Sequence, residues 1–341
     1  MKNLFIDPIQ HCPAIYFALK EISNVDYFSD FSRNQMNSKI LWGYYDKLSF
    51  QDFYAFEAKC LKQDFSLLQV EYDNLFIVYS LSEMKTNIYS PENKLIIFNY
   101  YQELFNKLFK STKINGKIFI IDNSDLCHDG STILEKHNLQ YSKILKKEFM
   151  PKYQKYSNNF LPFPYVVNGK NDALFILNSK KIESNEKKSD KCFWSGGIYN
   201  LHKEDLYQFV DRSLYLESQN DIIFNESFSG HSGVGSYAFV NRINEFKFWI
   251  YLKGAASLTR RFYEGLATDS LMLMQRLDVD FGMNDFISNE CLFSSPEEFR
   301  EKYFILKNDS ELYKNCLEKQ KEITNHFFYK EISKYIQNIC K

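Results

Sequence analysis

Apolar runs of strand length alternate along the chain with stretches of helical periodicity. Asn74-Leu-Phe-Ile-Val-Tyr-Ser80 is apolar at consecutive positions, the pattern of a strand buried on both faces. Between Glu92 and Lys110, Leu95, Phe98, Tyr101, Leu104, Phe105 and Leu108 recur every three or four residues, which predicts an amphipathic helix. The turn-prone Asn115-Gly116 then leads into a strand over 117–122, a polar loop, and a helix from Ser131. Farther on, Lys191-Cys-Phe-Trp-Ser-Gly-Gly197 predicts a strand ending in glycines, and Phe246–Leu252 predicts another. A small-residue turn, a helix and the apolar segment beginning at Leu271 follow without a break. Ser295-Pro296-Glu297-Glu298 is a helix start, with Ser as N-cap, Pro at the first position and Glu three after the cap. Strands alternating with helices predict an α/β architecture.

The character of the chain changes between 151 and 190. Pro151, Pro162 and Pro164 stand close together, followed by Asn168-Gly169, one strand over 172–177 and a polar Lys/Ser/Glu segment. We therefore expect an N-terminal α/β domain over 1–165, a C-terminal α/β domain over 166–308, and closing amphipathic helices over 309–341.

Composition narrows the function classes. The 341 residues suffice for two domains, and 45% hydrophobic content with 24 Tyr and 32 Phe supplies ample core. A formal charge of -1 gives no electrostatic footprint for nucleic acid, and pairs such as Lys146-Lys147 and Lys180-Lys181 read as solvated surface. The seven cysteines have no CxxC or metal-type spacing, which points to reduced, buried thiols in a cytoplasmic protein. Pro8 and Asp7 interrupt the first residues where a signal peptide would be apolar, and no run approaches the ~20 apolar residues of a membrane span. Peripheral association at the inner face of a membrane stays open.

The stretch 253–275, KGAASLTRRFYEGLATDSLMLMQ, carries the main chemistry. A helix N-terminus offers unpaired N–H groups and partial positive charge to a phosphate. Gly254, Ala255 and Ala256 let backbone approach a ligand, Ser257 and Thr259 add hydroxyls, and Arg260 or Arg261 adds a forked cation. Glu264, about one turn later, could accept the hydroxyls of a ribose. The same string is equally readable as a capped amphipathic helix whose arginines pair with surface acids. A second candidate is the loop Asp122-Asn-Ser-Asp-Leu-Cys-His-Asp129 at the carboxyl end of a strand, where open α/β sheets place ligands. Asp125 is the nominal base there, and turn-capping carboxylates are the competing reading. Gly230–Ser236 reads as a linker or a loop near a ligand, and Asp278-Val-Asp280 as a solvated loop. Nucleotide-triphosphatase, zinc-protease, serine-hydrolase and dinucleotide signatures do not occur.

The string from Thr259 to Gln275 resembles the signature of glycosyltransferases of the CAP10 and protein O-glucosyltransferase family. The positions that carry the likeness are Lys247, Gly254, Thr259 (usually Ser), Arg261, Phe262, Leu266, Ala267, Thr268, Ser270 and Leu271. Phe193-Trp194-Ser195-Gly196 is similar to that family's Phe-Trp-Arg-Gly, with Ser195 in place of the arginine, and Arg212 resembles the arginine that follows. The position of Glu264 is closer to the exostosin-type pattern Arg-x-x-Glu-Ala-Leu. The likeness spans roughly 190–335. It implies a GT-B fold, two Rossmann-like domains facing a cleft, acting without a metal or other cofactor on a nucleotide sugar, UDP-linked. Arg261 and Thr259 would hold the diphosphate and Glu264 the ribose, while Trp194 with Gly196, Arg212, Gly254 and Ser257 would complete the donor pocket. The implied acceptor is a glycan or lipid-linked glycan, as in bacterial lipopolysaccharide or capsule synthesis.

Two other classes stay in view. A nucleotide-dependent transferase such as a methyltransferase would bind its ligand within 70–130. A non-catalytic carbohydrate-binding protein, suggested by the abundant Tyr and Phe, would bind sugar without releasing nucleoside diphosphate.

Overall fold

The computed structural model describes residues 1–8, 13–28, 71–87, 89–124, 128–147, 149, 155–163, 188–194, 222–224, 242–252, 262, 265–266, 268–277, 287–326 and 330–341. The chain divides into two compact units, 1–169 with 332–341, and 170–331.

The first unit contains β1 (Lys2–Ile6), α1 (Pro13–Lys20), β2 (Asn24–Phe28), β3 (Glu71–Tyr72), β4 (Asn74–Val78), α2 (Leu81–Met84) and α3 (Pro91–Ser111). It continues with β5 (Lys113–Ile114), β6 (Ile118–Asp122), α4 (Ser131–Lys136), β7 (Lys143–Lys146) and β8 (Phe160–Pro162). Six strands form a sheet in the order β2-β1-β4-β6-β7-β8, and every neighbouring pair is parallel. Strands of such a sheet are covered on both faces, so both sets of side chains must be apolar or paired. All five residues of β4 are buried, which is why it reads as an unbroken apolar run. Its one polar member, Asn74, donates to Asn3 Oδ1 at 3.1 Å and accepts from Lys117 N at 3.1 Å.

Local signals set the helix ends. Ser90 caps α3 by accepting from Asn93 N, Pro91 opens it, and Ile97, Tyr101, Leu104, Phe105 and Leu108 form its buried stripe. At the end of α4, Asn138 takes φ 51°. Asn138 N donates to Glu135 O at 2.9 Å and Leu139 N to Leu134 O at 3.2 Å, which closes the helix in a Schellman motif. His137, just before it, is buried with Nε2 3.2 Å from Tyr79 Oη and Nδ1 2.9 Å from Gln102 Oε1. Burial pushes its pKa down to about 4.

The second unit contains β9 (Ser189–Trp194), β10 (Ile222–Phe224), β11 (Phe246–Tyr251), β12 (Leu271–Gln275), β13 (Leu292–Phe293), α5 (Pro296–Asn308) and α6 (Ser310–His326). Its sheet runs β10-β9-β11-β12-β13, again parallel throughout. The expected N-cap at α5 is present: Glu298 N donates to Ser295 Oγ at 3.1 Å, while the Glu298 carboxylate reaches back one residue beyond the cap to accept from Ser294 N at 2.7 Å. The expected strand over 172–177 lies outside the described residues.

The last helix, α7 (Lys330–Cys340), packs on the first unit from Ile332 onward. Ser333 Oγ donates to Ala18 O at 2.9 Å, Lys117 Nζ donates to Ile339 O at 3.2 Å, and Ile336 is fully buried. No described helix is long and apolar enough to cross a membrane. The cysteines of the described residues are free, with Cys192, Cys291 and Cys316 buried.

Candidate functional site

The two sheets share one strand-order logic. In each, the first strand pairs with the second on one side, and the third returns to the other side of the first. The order therefore reverses between β1 and β4 in the first unit and between β9 and β11 in the second. Open α/β sheets bind ligands outside the carboxyl ends of the strands at such reversals.

In the second unit, the chain leaves β9 at Trp194 and β11 at Tyr251, on the two strands that flank the reversal. Those exits lead directly into Ser195-Gly196 and into 253–261, the segments singled out above as donor-binding. Trp194 is the member of that set among the described residues, and it is buried at the strand end. Gly196, Arg212, Gly254, Ser257, Thr259, Arg261 and Glu264 lie outside the described residues, as do Gly230–Ser236 and 278–280.

The described residues of the matched string are architecture. Phe262 and Leu266 are buried, and Phe262 meets Tyr251 edge-on with ring centroids 5.4 Å apart. A Cβ on Gly265 would stand 1.7 Å from Trp249 Cζ2, so the lack of a side chain lets this backbone lie on the tryptophan. Thr268 Oγ1 donates to Gly265 O at 2.7 Å and accepts from Ser270 N at 3.3 Å. Ser270 Oγ stands 2.6 Å from Phe246 O and 2.9 Å from Ile243 O. Thr268 and Ser270 thus turn the chain into β12. Lys247 sits near the amino end of β11 and pairs with Asp190, away from the carboxyl-end site.

One side chain completes β12. Pairing with β13 begins only at Met274, which leaves the backbone of 270–272 without a strand on that side. Gln320 of α6 closes the gap: its Oε1 accepts from Met272 N at 2.8 Å, and its Nε2 donates to Ser270 O at 2.9 Å.

In the first unit, the loop after β6 is held by a buried polar network. Lys146 Nζ lies 3.1 Å from Asp122 Oδ2, and neither side chain is exposed at all (0% each). Ser82 Oγ stands 2.7 Å from Asp122 Oδ2 and 2.6 Å from His128 O, so one hydroxyl proton serves both. Asp122 Oδ1 accepts from Ser124 N at 3.3 Å, and Lys146 Nζ donates to Ser124 O at 3.3 Å. Asp129 Oδ1 accepts from Ser131 N at 2.8 Å. Asp122 and Asp129 are thus engaged within the fold, in keeping with the turn-capping reading, whereas Asp125 lies outside the described residues.

Lys146-Lys147 requires a correction. Both are buried rather than solvated, because β7 is an interior strand and Lys146 faces Asp122 in register across it. The available signal was the pairing itself: a lysine ending one interior strand and an aspartate ending the next. Such a pair is costly to break, because removing one partner strands the other charge, at about 3–5 kcal/mol. Among the described residues, no group of three or more His, Cys, Asp or Glu is arranged to hold a metal.

No protein-family model matches the chain, and no curated protein sequence is similar to it. Solved structures do match. The DNA-modifying enzyme β-glucosyltransferase, determined with and without uridine diphosphoglucose, aligns over 99% of both chains at 14% identity and a TM-score of 0.51. A trehalose-6-phosphate protein from E. coli bound with UDP-2-fluoro glucose aligns over 100% of this chain and 99% of its own, at 8% identity and a TM-score of 0.52. A T4 phage β-glucosyltransferase structure covers 100% of both chains at 13% identity, with a TM-score of 0.46. The first two, with the paired parallel sheets, establish the fold as α/β of the GT-B type, built from two Rossmann-like units.

Proposed function

We propose that this chain is a glycosyltransferase that moves a hexose from a UDP-linked donor to a glycan acceptor. The observation that carries the reading is topological. The strands flanking the reversal in the second unit, β9 and β11, run out into the two segments whose residues suit a nucleotide sugar. Fold likeness to enzymes described with uridine diphosphoglucose and UDP-2-fluoro glucose supports the same substrate class.

Thr259 and Arg261, with the small residues Gly254 and Ser257, would take the diphosphate, and Glu264 the ribose. Trp194, Gly196 and Arg212 would line the donor pocket. Charge developing on the departing diphosphate is then met by a guanidinium and by backbone N–H groups, work that needs no metal. Asp125 is the proposed base on the acceptor hydroxyl. The motif likeness to the CAP10 and protein O-glucosyltransferase family supports an acceptor from lipopolysaccharide or capsule synthesis, met at the inner face of a membrane.

The test is a screen of nucleotide sugars against the purified chain, read first as thermal stabilisation and then as nucleoside diphosphate release with and without chelator. Chelator-resistant UDP release is expected. Sugar binding without diphosphate release would favour a non-catalytic carbohydrate-binding protein and overturn the proposal.

A further inference from the structure

The network around Asp122 has a shape that fold stability alone does not explain. Three elements contribute to it from the carboxyl end of the first sheet: α2 directly after β4 gives Ser82, β6 gives Asp122, and β7 gives Lys146. Apolar residues of similar volume would fill this space as well or better, because a buried ion pair roughly cancels its own desolvation cost. What apolar residues could not supply is the set of bonds to the following loop. Near its start, the loop is held at both groups of one residue, Ser124 N by Asp122 Oδ1 and Ser124 O by Lys146 Nζ. Near its far end, His128 O receives the Ser82 hydroxyl. There too Gly130 lies so close to α2 that a Cβ on it would be 2.4 Å from Leu81 Cβ. The loop is thus fastened on both sides of 125–127, and its fastenings meet on one carboxylate.

We infer that Asp122, Lys146 and Ser82 are positioning residues for the reaction: the buried ion pair and its hydroxyl fix Ser124 and His128, the described ends of the loop after β6, where the acceptor is met. This inference rests on the glycosyltransferase reading above. It assigns no chemistry to Asp122 itself, whose carboxylate is wholly buried and shared among Ser82, Ser124 and Lys146.

The test uses the full chain with UDP-glucose as donor and water as the probe acceptor. It measures UDP release, UDP affinity by calorimetry, and the melting curve. The informative variant is the double substitution Lys146→Met with Asp122→Leu, which removes both charges together so that neither is left buried alone. The fold and UDP affinity should persist, because the donor residues belong to the second unit, while UDP release falls by about 100-fold, the scale of a misplacement near 1 Å. Ser82→Ala, which leaves both charges in place and removes the hydroxyl shared by Asp122 Oδ2 and His128 O, should lower UDP release by a smaller factor at unchanged UDP affinity. A double variant that melts like wild type and releases UDP at the wild-type rate would make the network purely structural and overturn the inference. If the wild-type chain itself neither binds UDP nor releases it, the glycosyltransferase reading fails, and this inference fails with it.

Discussion

Gln320→Leu tests how the segment that follows the proposed donor helix is held. Leucine nearly conserves the side-chain volume, so the substitution isolates the polar contribution from that of a cavity. Gln320 is 5% exposed and makes two bonds, 2.8 Å from Met272 N and 2.9 Å to Ser270 O, along the part of β12 that precedes its pairing with β13. Leucine leaves both backbone groups buried and unmet. At about 1–3 kcal/mol for each, offset in part by the more apolar side chain, the net loss is about 2–4 kcal/mol. A chain with two compact units need not unfold in one step, so a single global midpoint is a poor readout. Hydrogen exchange at the Met272 amide reads the bond directly, and the loss corresponds to roughly 30- to 1000-fold faster exchange there. Amides in β4 and β6 of the first unit should keep their rates. Unchanged protection at Met272 in Gln320→Leu would refute the claim that this side chain completes β12.

Three further outcomes follow from the same structure. Gly265→Ala drives a methyl into the Trp249 ring, since the built Cβ is 1.7 Å from Cζ2; overpacking of this kind costs about 1–3 kcal/mol, to be read as a lower melting temperature and altered tryptophan fluorescence. His137, held near pKa 4 against 6.5 for the free side chain, is kept neutral by the fold, so the unfolded chain binds the extra proton between those values. Stability of the first unit should therefore be full above about pH 6.5 and fall by about 3 kcal/mol as pH drops toward 4, and His137→Phe should flatten that part of the profile in denaturant titrations. Ser295→Ala, which removes the acceptor for Glu298 N, should lower the stability of α5 by about 1 kcal/mol, measured as a shift in the second unit's denaturant midpoint.

The elements that local chemistry determines were legible in the sequence. Helix α3 shows its apolar stripe and α5 its Ser-Pro start, whose hydroxyl does cap it, and β4 and β12 are almost wholly apolar because parallel strands are covered on both faces. Strand β1 is less evident, since it is only five residues long and Asp7-Pro8 follows it at once. What depends on distant partners was not legible. Nothing local to Lys330–Cys340 says that the helix packs beside α1 and β8, and nothing local to Lys146 says that its ammonium meets Asp122. The matched motif was legible as a motif but not in its division of labour. Its described residues, Phe262, Gly265, Leu266, Thr268, Ser270 and Leu271, pack the core and build the turn into β12, a role that the string itself does not spell out.

The central claim is that the segment leaving β11 holds the diphosphate of a nucleotide sugar. It is tested most directly by comparing the UDP affinity and UDP-glucose turnover of wild type with those of Arg261→Ala. Loss of a charged hydrogen bond to phosphate, worth about 1.5–3 kcal/mol, predicts UDP binding weakened by roughly 10- to 150-fold and a matching fall in UDP release. Wild-type affinity and turnover in Arg261→Ala would contradict the account.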